Sequence, residues 1–447
     1  MVPETRTIKL SSVIFSQDFY PRKKHDPELA KKYLSNLEEI EARGNYISIA
    51  ADGTLLDGRH RHIAYTKRHE GNLDVEIPVF WYDIAEPKEK FSLAIELNST
   101  HGYQLAEEDK RRCAMDLYGK YRCDLGDIAK MVSVRKEKVL EWTKSIRDEE
   151  ERRENETIFD MWMECYTSEQ IAALLQNKYT RQGIDAKIER LLQNEFPGTK
   201  FAKLSNFTLE TDDKGEEQPY EYGWKRPLYN VWSFAKKTNS VGHFGNSEQR
   251  IVENMLYLYT NPYDIVFDPF AGGGSTLDVC SRRLRRCWIS DRKPIVEREN
   301  EIRKHDLVTD GIPSLRWSDV TLTYLDPPYW RQAANQYSKD PTDLANMSLE
   351  QFTDTLSKIV KDISRKQSRG VIALLIQPTQ WSADEHRFTD HVTDLVQAVG
   401  NKRLILENRV SCPYSTEQYN AQQVQHAKDN KMLLVLTREL IIWRIAQ

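Results

Sequence analysis

The sequence predicts an α/β chain of more than one domain. Its C-terminal half reads as a parallel sheet with crossover helices, its N-terminal region as α+β, and the stretch between them as helical. Three observations lead there. At 447 residues the chain is too long for one ordinary core, and two to three domains are expected. From Tyr229 onward, short apolar runs alternate with amphipathic helical ones, the pattern of a parallel sheet and its crossovers. Two of those runs end in unusual corners: Val266-Phe267-Asp268-Pro269-Phe270-Ala271-Gly272-Gly273-Gly274-Ser275-Thr276, and Thr323-Tyr324-Leu325-Asp326-Pro327-Pro328-Tyr329.

Composition narrows the class. With 39% hydrophobic and 30% charged residues, each domain can bury a core beneath a well-solvated surface. A net charge of −4 argues against a chain that is basic throughout, yet leaves room for a local basic face that binds nucleic acid. No run of about eighteen apolar residues is present, so no membrane partner is expected. The N-terminal Met1–Arg6 lacks the apolar core of a signal peptide. Cys113, Cys123, Cys165, Cys280, Cys287 and Cys412 form no CxxC pair, so no metal site or disulfide framework is expected, and reduced thiols in a cytoplasm fit best.

Taken in order, residues 7–20 read as a short strand and turn, and 27–43 as helical. Asp52-Gly53 between short apolar runs predicts a hairpin. It is followed by Leu56-Asp57-Gly58-Arg59-His60-Arg61-His62-Ile63-Ala64-Tyr65, where a helix opens on Gly58, Arg59, His60 and Arg61; helix N-termini attract anions. Val75–Phe80 supplies another strand. The box from Leu56 to Tyr65 resembles the phosphate-binding box of the ParB/sulfiredoxin-like fold, over roughly residues 5–100. That resemblance implies a candidate nucleotide ligand at Gly58, Arg59, His60 and Arg61. The box holds no cysteine, so sulfiredoxin chemistry is not implied. The competing reading is a basic helix start that merely pairs with acidic neighbours.

A helix is expected from Leu105 to about Tyr121. Asp124–Trp142 then carries the apolar spacing of two short helices about a tight turn at Ser133, and resembles a helix-turn-helix. The resemblance implies DNA contact from Arg135, Lys136 and Lys138. Thr167–Leu175 is a weaker copy, with Thr167 as helix cap. Helical modules that only pack are the alternative for both. Acidic runs at 148–151 and 212–217 read as a solvated helix face and a linker, which sets the expected domains as 1–100, 101–210 and 220–447.

In the last of these, Arg250–Tyr259 reads as an amphipathic helix, Asp264–Asp268 as a buried strand, Thr276–Cys280 as the helix after the glycine turn, and Cys287–Asp291 as a strand ending in an acid. Such an acid can bind ribose hydroxyls. The turn has neither GxGxxG spacing nor the Gly-Lys-Ser/Thr ending of a phosphate loop, which favours a ligand with a nucleoside but no phosphate chain. Helices at 348–362 and 388–399 and strands at 370–376, 404–410 and 432–444 complete the sheet.

Asp268-Pro269-Phe270-Ala271-Gly272-Gly273-Gly274 followed by Asp326-Pro327-Pro328-Tyr329 resembles the amino-group DNA methyltransferases that use S-adenosylmethionine, over about residues 225–447. The resemblance implies a Rossmann-like methyltransferase sheet. It assigns cofactor contact to Asp268, Pro269, Phe270, Gly272 and Gly274, ribose binding to Asp291 and adenine contact to Asp306. Phe244–Arg250 falls where the family contacts the methionine end. Asp326, Pro327, Pro328 and Tyr329 become the catalytic corner, acting on a base flipped out of duplex DNA. Trp330, Tyr337 and the 331–339 stretch are either a base-holding loop or core and rim. Adenine N6 is favoured over cytosine N4. An RNA substrate, or a ParB-like regulator without catalysis, are the other readings. With no recognition insert visible after the corner, residues 1–210 are expected to supply the DNA grip.

Overall fold

The computed structural model describes residues 2–446 apart from 25, 71, 101–104, 196–207, 218–227, 235–247, 332–337, 381–387, 401 and 415–418. The chain forms two compact units, Met1–Arg153 and Glu154–Gln447. No helix among the described residues is long and apolar enough to cross a membrane.

In the first unit, β1 (Glu4–Lys9), α1 (Pro27–Ser35), α2 (Leu37–Ala42), β2 (Ile47–Ala50), β3 (Leu55–Asp57), α3 (Arg59–Arg68) and β4 (Glu76–Tyr82) build a four-stranded sheet of order β1-β4-β2-β3. The hairpin expected at Asp52-Gly53 is β2–β3, with Gly53 at φ +84°. The helical run at 27–43 is two helices, because Asn36 at ψ 22° leaves the helical track between them. Leu37, Ile47, Ile49, Leu55, Ala64, Tyr65 and Val79 close this core. Next come α4 (Pro87–Thr100), α5 (Glu107–Gly119), α6 (Leu125–Met131), α7 (Lys136–Trp142) and α8 (Lys144–Met163). Phe91, Leu117, Ile128, Val132, Val139 and Trp142 share a second core. Asp124 caps α6 by accepting from the Gly126 and Asp127 amides, and Ser133, at φ +53°, makes the tight turn toward α7.

The boundary between units falls inside α8. Residues 154–195, expected with the helical middle, therefore belong to the second unit. Phe159, Met163 and Leu191 join the core of the second unit's sheet. Here α9 (Ser168–Leu174) opens on a capping box in which Thr167 and Gln170 satisfy each other's backbone amides, and α10 (Arg181–Glu195) follows. The acidic run expected as a linker is also held. Glu217 grips the buried Arg285 guanidinium with both oxygens, at 2.6 and 3.0 Å, and Glu210 and Glu253 flank Arg283. Buried guanidinium groups require such partners, which is why these carboxylates are not free in solvent.

The remainder is an open sheet. α11 (Gln249–Tyr259), β5 (Ile265–Asp268), α12 (Ser275–Arg282), β6 (Arg286–Asp291), β7 (Arg303–Lys304), β8 (Val320–Leu325), α13 (Leu349–Lys366), β9 (Val371–Ile376), α14 (His391–Val399), β10 (Leu404–Pro413), α15 (Ala421–Asp429) and β11 (Thr437–Ile445) follow in sequence. The sheet order is β10-β11-β9-β8-β5-β6-β7. Strands β9, β8, β5, β6 and β7 run parallel, while β11 is antiparallel to β9 and β10 to β11. β5, β8 and β9 are buried along their whole length, which explains their unbroken apolar runs. The last strand begins at Thr437 rather than 432; Leu433 is 90% exposed, and α15 fills the span that separates β10 from β11.

Candidate active site at the sheet's switch point

The sheet order fixes where a ligand can sit. From β5 the chain moves outward to β6 and β7, then returns to place β8 on the other side of β5. Open parallel sheets bind ligands outside the carboxyl ends of their strands at such a reversal. Three acids lie there: Asp268 closes β5, Asp291 closes β6, and Asp326 follows β8 directly.

Around the glycine turn, Asp268 is 2% exposed and accepts from the Phe270 amide at 2.9 Å. Burial pushes its carboxyl up to about 7, against the relief of hydrogen bonds from Thr276 and Phe270, and Asp326 and Asp291 add to the rise. Asp291 receives the Gly272 amide at 3.0 Å and the Lys293 amide at 2.8 Å, so it ties the turn to the end of β6. Gly274 caps α12 at φ +86°, and a Cβ there would stand 2.2 Å from Nη1 of Arg298, which binds the Gly274 carbonyl at 3.1 Å and pairs with Asp278. Gly272, at φ +51°, differs: a Cβ there would meet nothing within 4 Å. The turn therefore faces open space at Gly272 and is locked at Gly274. Asp306 lies beyond β7, 3.4 Å from Arg292, accepting from the Val308 amide at 2.9 Å.

At the other corner, the Tyr329 hydroxyl donates to Asp326 Oδ1 at 2.9 Å. Burial, Asp326 and Tyr414 together raise the Tyr329 phenol far above its usual range, so it stays a donor. Pro327 is buried, while Asp326, Pro328 and Tyr329 retain some exposure. Trp330 is a core residue: its indole donates to the Met347 carbonyl at 3.0 Å, and its own carbonyl accepts from Thr379 at 2.9 Å. Phe244–Ser247 and Tyr337 lie outside the described residues.

Two groups that the sequence reading missed complete this corner. Arg438, the second residue of β11, is buried beneath the Tyr414 ring, 4.4 Å from its centroid. The Tyr414 hydroxyl donates to Gln377 at 2.9 Å. The signal available in sequence was an arginine close before the apolar run Leu440–Trp443 of that strand.

The two N-terminal candidates lie in the first unit. Gly58 caps α3 at φ +94°, where a Cβ would meet Ile47 at 2.9 Å. Arg61 is consumed internally, by Asp57 at 2.8 Å and by the Asn45 and Tyr46 carbonyls. The His60 ring accepts from the Asp26 amide and stacks on Tyr33, and Arg59 lies over Phe15 at 4.1 Å. At the start of α7, its N-cap Arg135 and Lys136 are exposed, whereas Lys138 is engaged by Glu107 and Glu141 at 3.4 and 3.3 Å.

The second unit is thus an open α/β sheet with a glycine turn and three acids at its switch point. In sequence, residues 143–294 match a family model described as DNA methylase, about a third of the chain, taking in the glycine turn and Asp291 and ending before Asp326. No curated protein sequence matches. Solved structures similar to the chain include the C-terminally truncated chromosome-partitioning protein ParB from Caulobacter crescentus complexed to the centromeric parS site, at 14% identity over 40% of this chain and 83% of that one (TM-score 0.23). They also include the precorrin-6y C5,15-methyltransferase from Geobacter metallireducens, at 13% identity over 45% and 88% (TM-score 0.26). An rRNA methylase from Streptococcus thermophilus is similar at 14% identity over 44% and 96% (TM-score 0.24).

Proposed function

We propose that the chain is a DNA methyltransferase that uses S-adenosylmethionine to methylate an exocyclic base amine, adenine N6 in preference to cytosine N4. The observation that carries this reading is the convergence of Asp268, Asp291 and Asp326 at the carboxyl ends of three adjacent strands, beside a glycine turn. The DNA methylase match over the turn supports it. The residues suit the cofactor: the open space in front of Gly272 is what a closely approaching ligand requires, and Asp291 and Asp306 offer carboxylates to a nucleoside. Asp268, Pro269, Phe270, Gly272 and Gly274 would hold the same ligand.

When bound, S-adenosylmethionine supplies an electrophilic methyl group on a sulfonium. The chain's task is to present the amine, a poor nucleophile because its lone pair is delocalised into the ring. Asp326 and the Pro327 carbonyl accept the amine N–H groups and favour a pyramidal nitrogen. The two prolines contribute no backbone donors, so carbonyls face the amine. Tyr329 stacks on the base and, by donating to Asp326, fixes the carboxylate's aim. Positioning of this kind supplies most of the rate. Flipping the base out of the duplex costs a few kcal/mol, which must come from DNA contacts elsewhere. The first unit is the candidate source, through Arg135 and Lys136 at the exposed start of α7, with a nucleotide as candidate ligand beside Gly58 and Arg59.

Purified full-length protein with radiolabelled S-adenosylmethionine and duplex DNA, single-stranded DNA or RNA tests this. Transfer to duplex DNA that Asp326→Ala abolishes is expected, and a nucleoside digest should give N6-methyladenine. Absence of transfer to every substrate, or equal transfer by Asp326→Ala, refutes the reading.

A further inference from the structure

Gln377 follows β9 directly and is 4% exposed. Its Oε1 accepts from the Tyr414 hydroxyl at 2.9 Å, and burial pushes that phenol up to about 12, so it stays a donor. The phenol thereby sets which way the amide points, with its nitrogen turned away from Tyr414. No described residue accepts from Nε2, yet the atom is not sealed inside the core. Gln380, three residues on, differs: its two ends are taken by the Leu433 carbonyl and the Val435 amide. A buried amide with an unused donor is costly, and the vacancy at Nε2 is one that a ligand acceptor can fill.

Register places that donor beside the corner. β9 runs parallel to β8, pairing Leu374 with Leu325, so Asp326 and Gln377 extend neighbouring strands at their carboxyl ends. Side chains alternate along a strand, and Leu322 and Tyr324 of β8 share one core with Ala373 and Leu375 of β9. Asp326 and Gln377 continue those two rows on the same face of the sheet. Strand spacing and rise put their Cα atoms ~8 Å apart, one pleat out of step. A hydrogen bond ties the segment after β9 to the corner: Thr379 donates to the carbonyl of Trp330, next to Tyr329, at 2.9 Å. On the far side, β11 pairs Glu439 with Ile376, which brings Arg438 opposite Gln377, and its guanidinium seats the Tyr414 ring at 4.4 Å.

The edge thus offers an acceptor at Asp326 and, one strand over, a donor at Gln377. Flipped bases are read by hydrogen bonds to the Watson–Crick edge, where adenine presents its N6 amine beside the N1 acceptor. We propose that Gln377 is a specificity-determining residue of the acceptor site: its Nε2–H donates to the ring nitrogen beside the amine, N1 of adenine, while Asp326 accepts from the amine itself. Guanine and thymine carry an N–H at the matching ring position, so the same donor turns them away. Cytosine offers N4 and N3 in the same relation, so the pair selects amino bases over keto bases. The proposal rests on the reading of this crevice as an amine-methylating site.

The test uses full-length protein and a duplex carrying a site that wild type methylates, with adenine, 1-deazaadenine or 7-deazaadenine at the target. 1-Deazaadenine keeps the amine and lacks the N1 acceptor. Wild type should lose about 30-fold in kcat/KM on it, the scale of one stranded hydrogen-bond donor, and little on 7-deazaadenine. In Gln377→Met, the penalty for 1-deazaadenine should be about 30-fold smaller than in wild type, a comparison in which the amine's own reactivity cancels. Tyr414→Phe, which frees the amide to turn, should give an intermediate penalty. A side chain that only packs would lower activity on both bases equally and leave the penalty unchanged, and that result overturns the proposal. Should Gln377→Met fail to fold, Gln377→Glu removes the donor at the same size and takes its place. If the wild-type product is N4-methylcytosine, 3-deazacytosine serves as the probe in the same comparison. Absence of transfer by wild type to every substrate sinks the functional reading and the proposal with it; transfer with an unchanged penalty strikes the proposal alone.

Discussion

Asp268→Asn replaces a buried carboxyl by a neutral group of the same shape, and should stabilise the second unit in alkaline but not acid solution. The carboxyl's ordinary value of 3.8 rises to about 7 in the folded chain, chiefly through burial. A shift of roughly three units corresponds to about 4 kcal/mol between the two protonation states. Because the folded value is raised, this stability is fully present below about pH 4, where folded and unfolded chains are both protonated. It is lost as pH rises through 7, where the unfolded chain ionises freely and the folded one must bury a charge. The amide retains an acceptor for the Phe270 N–H and turns a donor toward Thr276, so little is given up locally. Urea unfolding read by pulsed alkylation of Cys287, buried on β6 opposite Val266 of β5, follows this region alone. At pH 8 the substitution should raise the stability of this region by up to about 4 kcal/mol, and by pH 4 the two proteins should converge. A variant no more stable than wild type at pH 8, or an advantage that does not shrink in acid, would refute the assignment of a buried, proton-holding Asp268.

Three further outcomes are expected. Gly274→Ala should lower the stability of the second unit by about 2 kcal/mol, since alanine at φ +86° is strained and its Cβ displaces Arg298; differential scanning calorimetry reads this. Glu217→Ala strands the Arg285 guanidinium and should cost about 3 kcal/mol in urea denaturation, a loss no true linker residue would show. Arg135→Glu with Lys136→Glu should weaken duplex binding across all sequences and flatten the log affinity against log salt slope by about two, measured by fluorescence anisotropy.

The sheet was legible because its strands are buried on both faces and their apolar runs are unbroken, as in Ile265-Val266-Phe267 and Val371–Ile376. The cap at Thr167 was legible because capping is local: the span from Thr167 to Gln170 carries the whole signal. What escaped was whatever depends on register or distant pairing. Arg438 comes to lie against the Tyr414 ring from a strand far downstream of β8, and no local pattern says that β11 pairs with β9 and β10. Glu217 reads as one more acid in an acidic run, and only the buried Arg285 gives it a structural role. Lys138 reads as a basic residue on an exposed helix, but Glu107 and Glu141 claim it. Trp330 is ambiguous in sequence, and its bond to Met347 sets it in the core.

The acids of the crevice couple its two corners through their charges. Asp268 feels the charges of Asp326 and Asp291, against which the hydrogen bonds of Thr276 and Phe270 give relief. Asp326, just past β8, accepts from the Tyr329 hydroxyl at 2.9 Å. A carboxyl that holds its proton near neutrality suits a structural hinge beneath the glycine turn, where a full charge would repel the acids on either side. The same electrostatics predicts coupling between the corners: removing the charge of Asp326, as in Asp326→Asn, should lower the Asp268 titration.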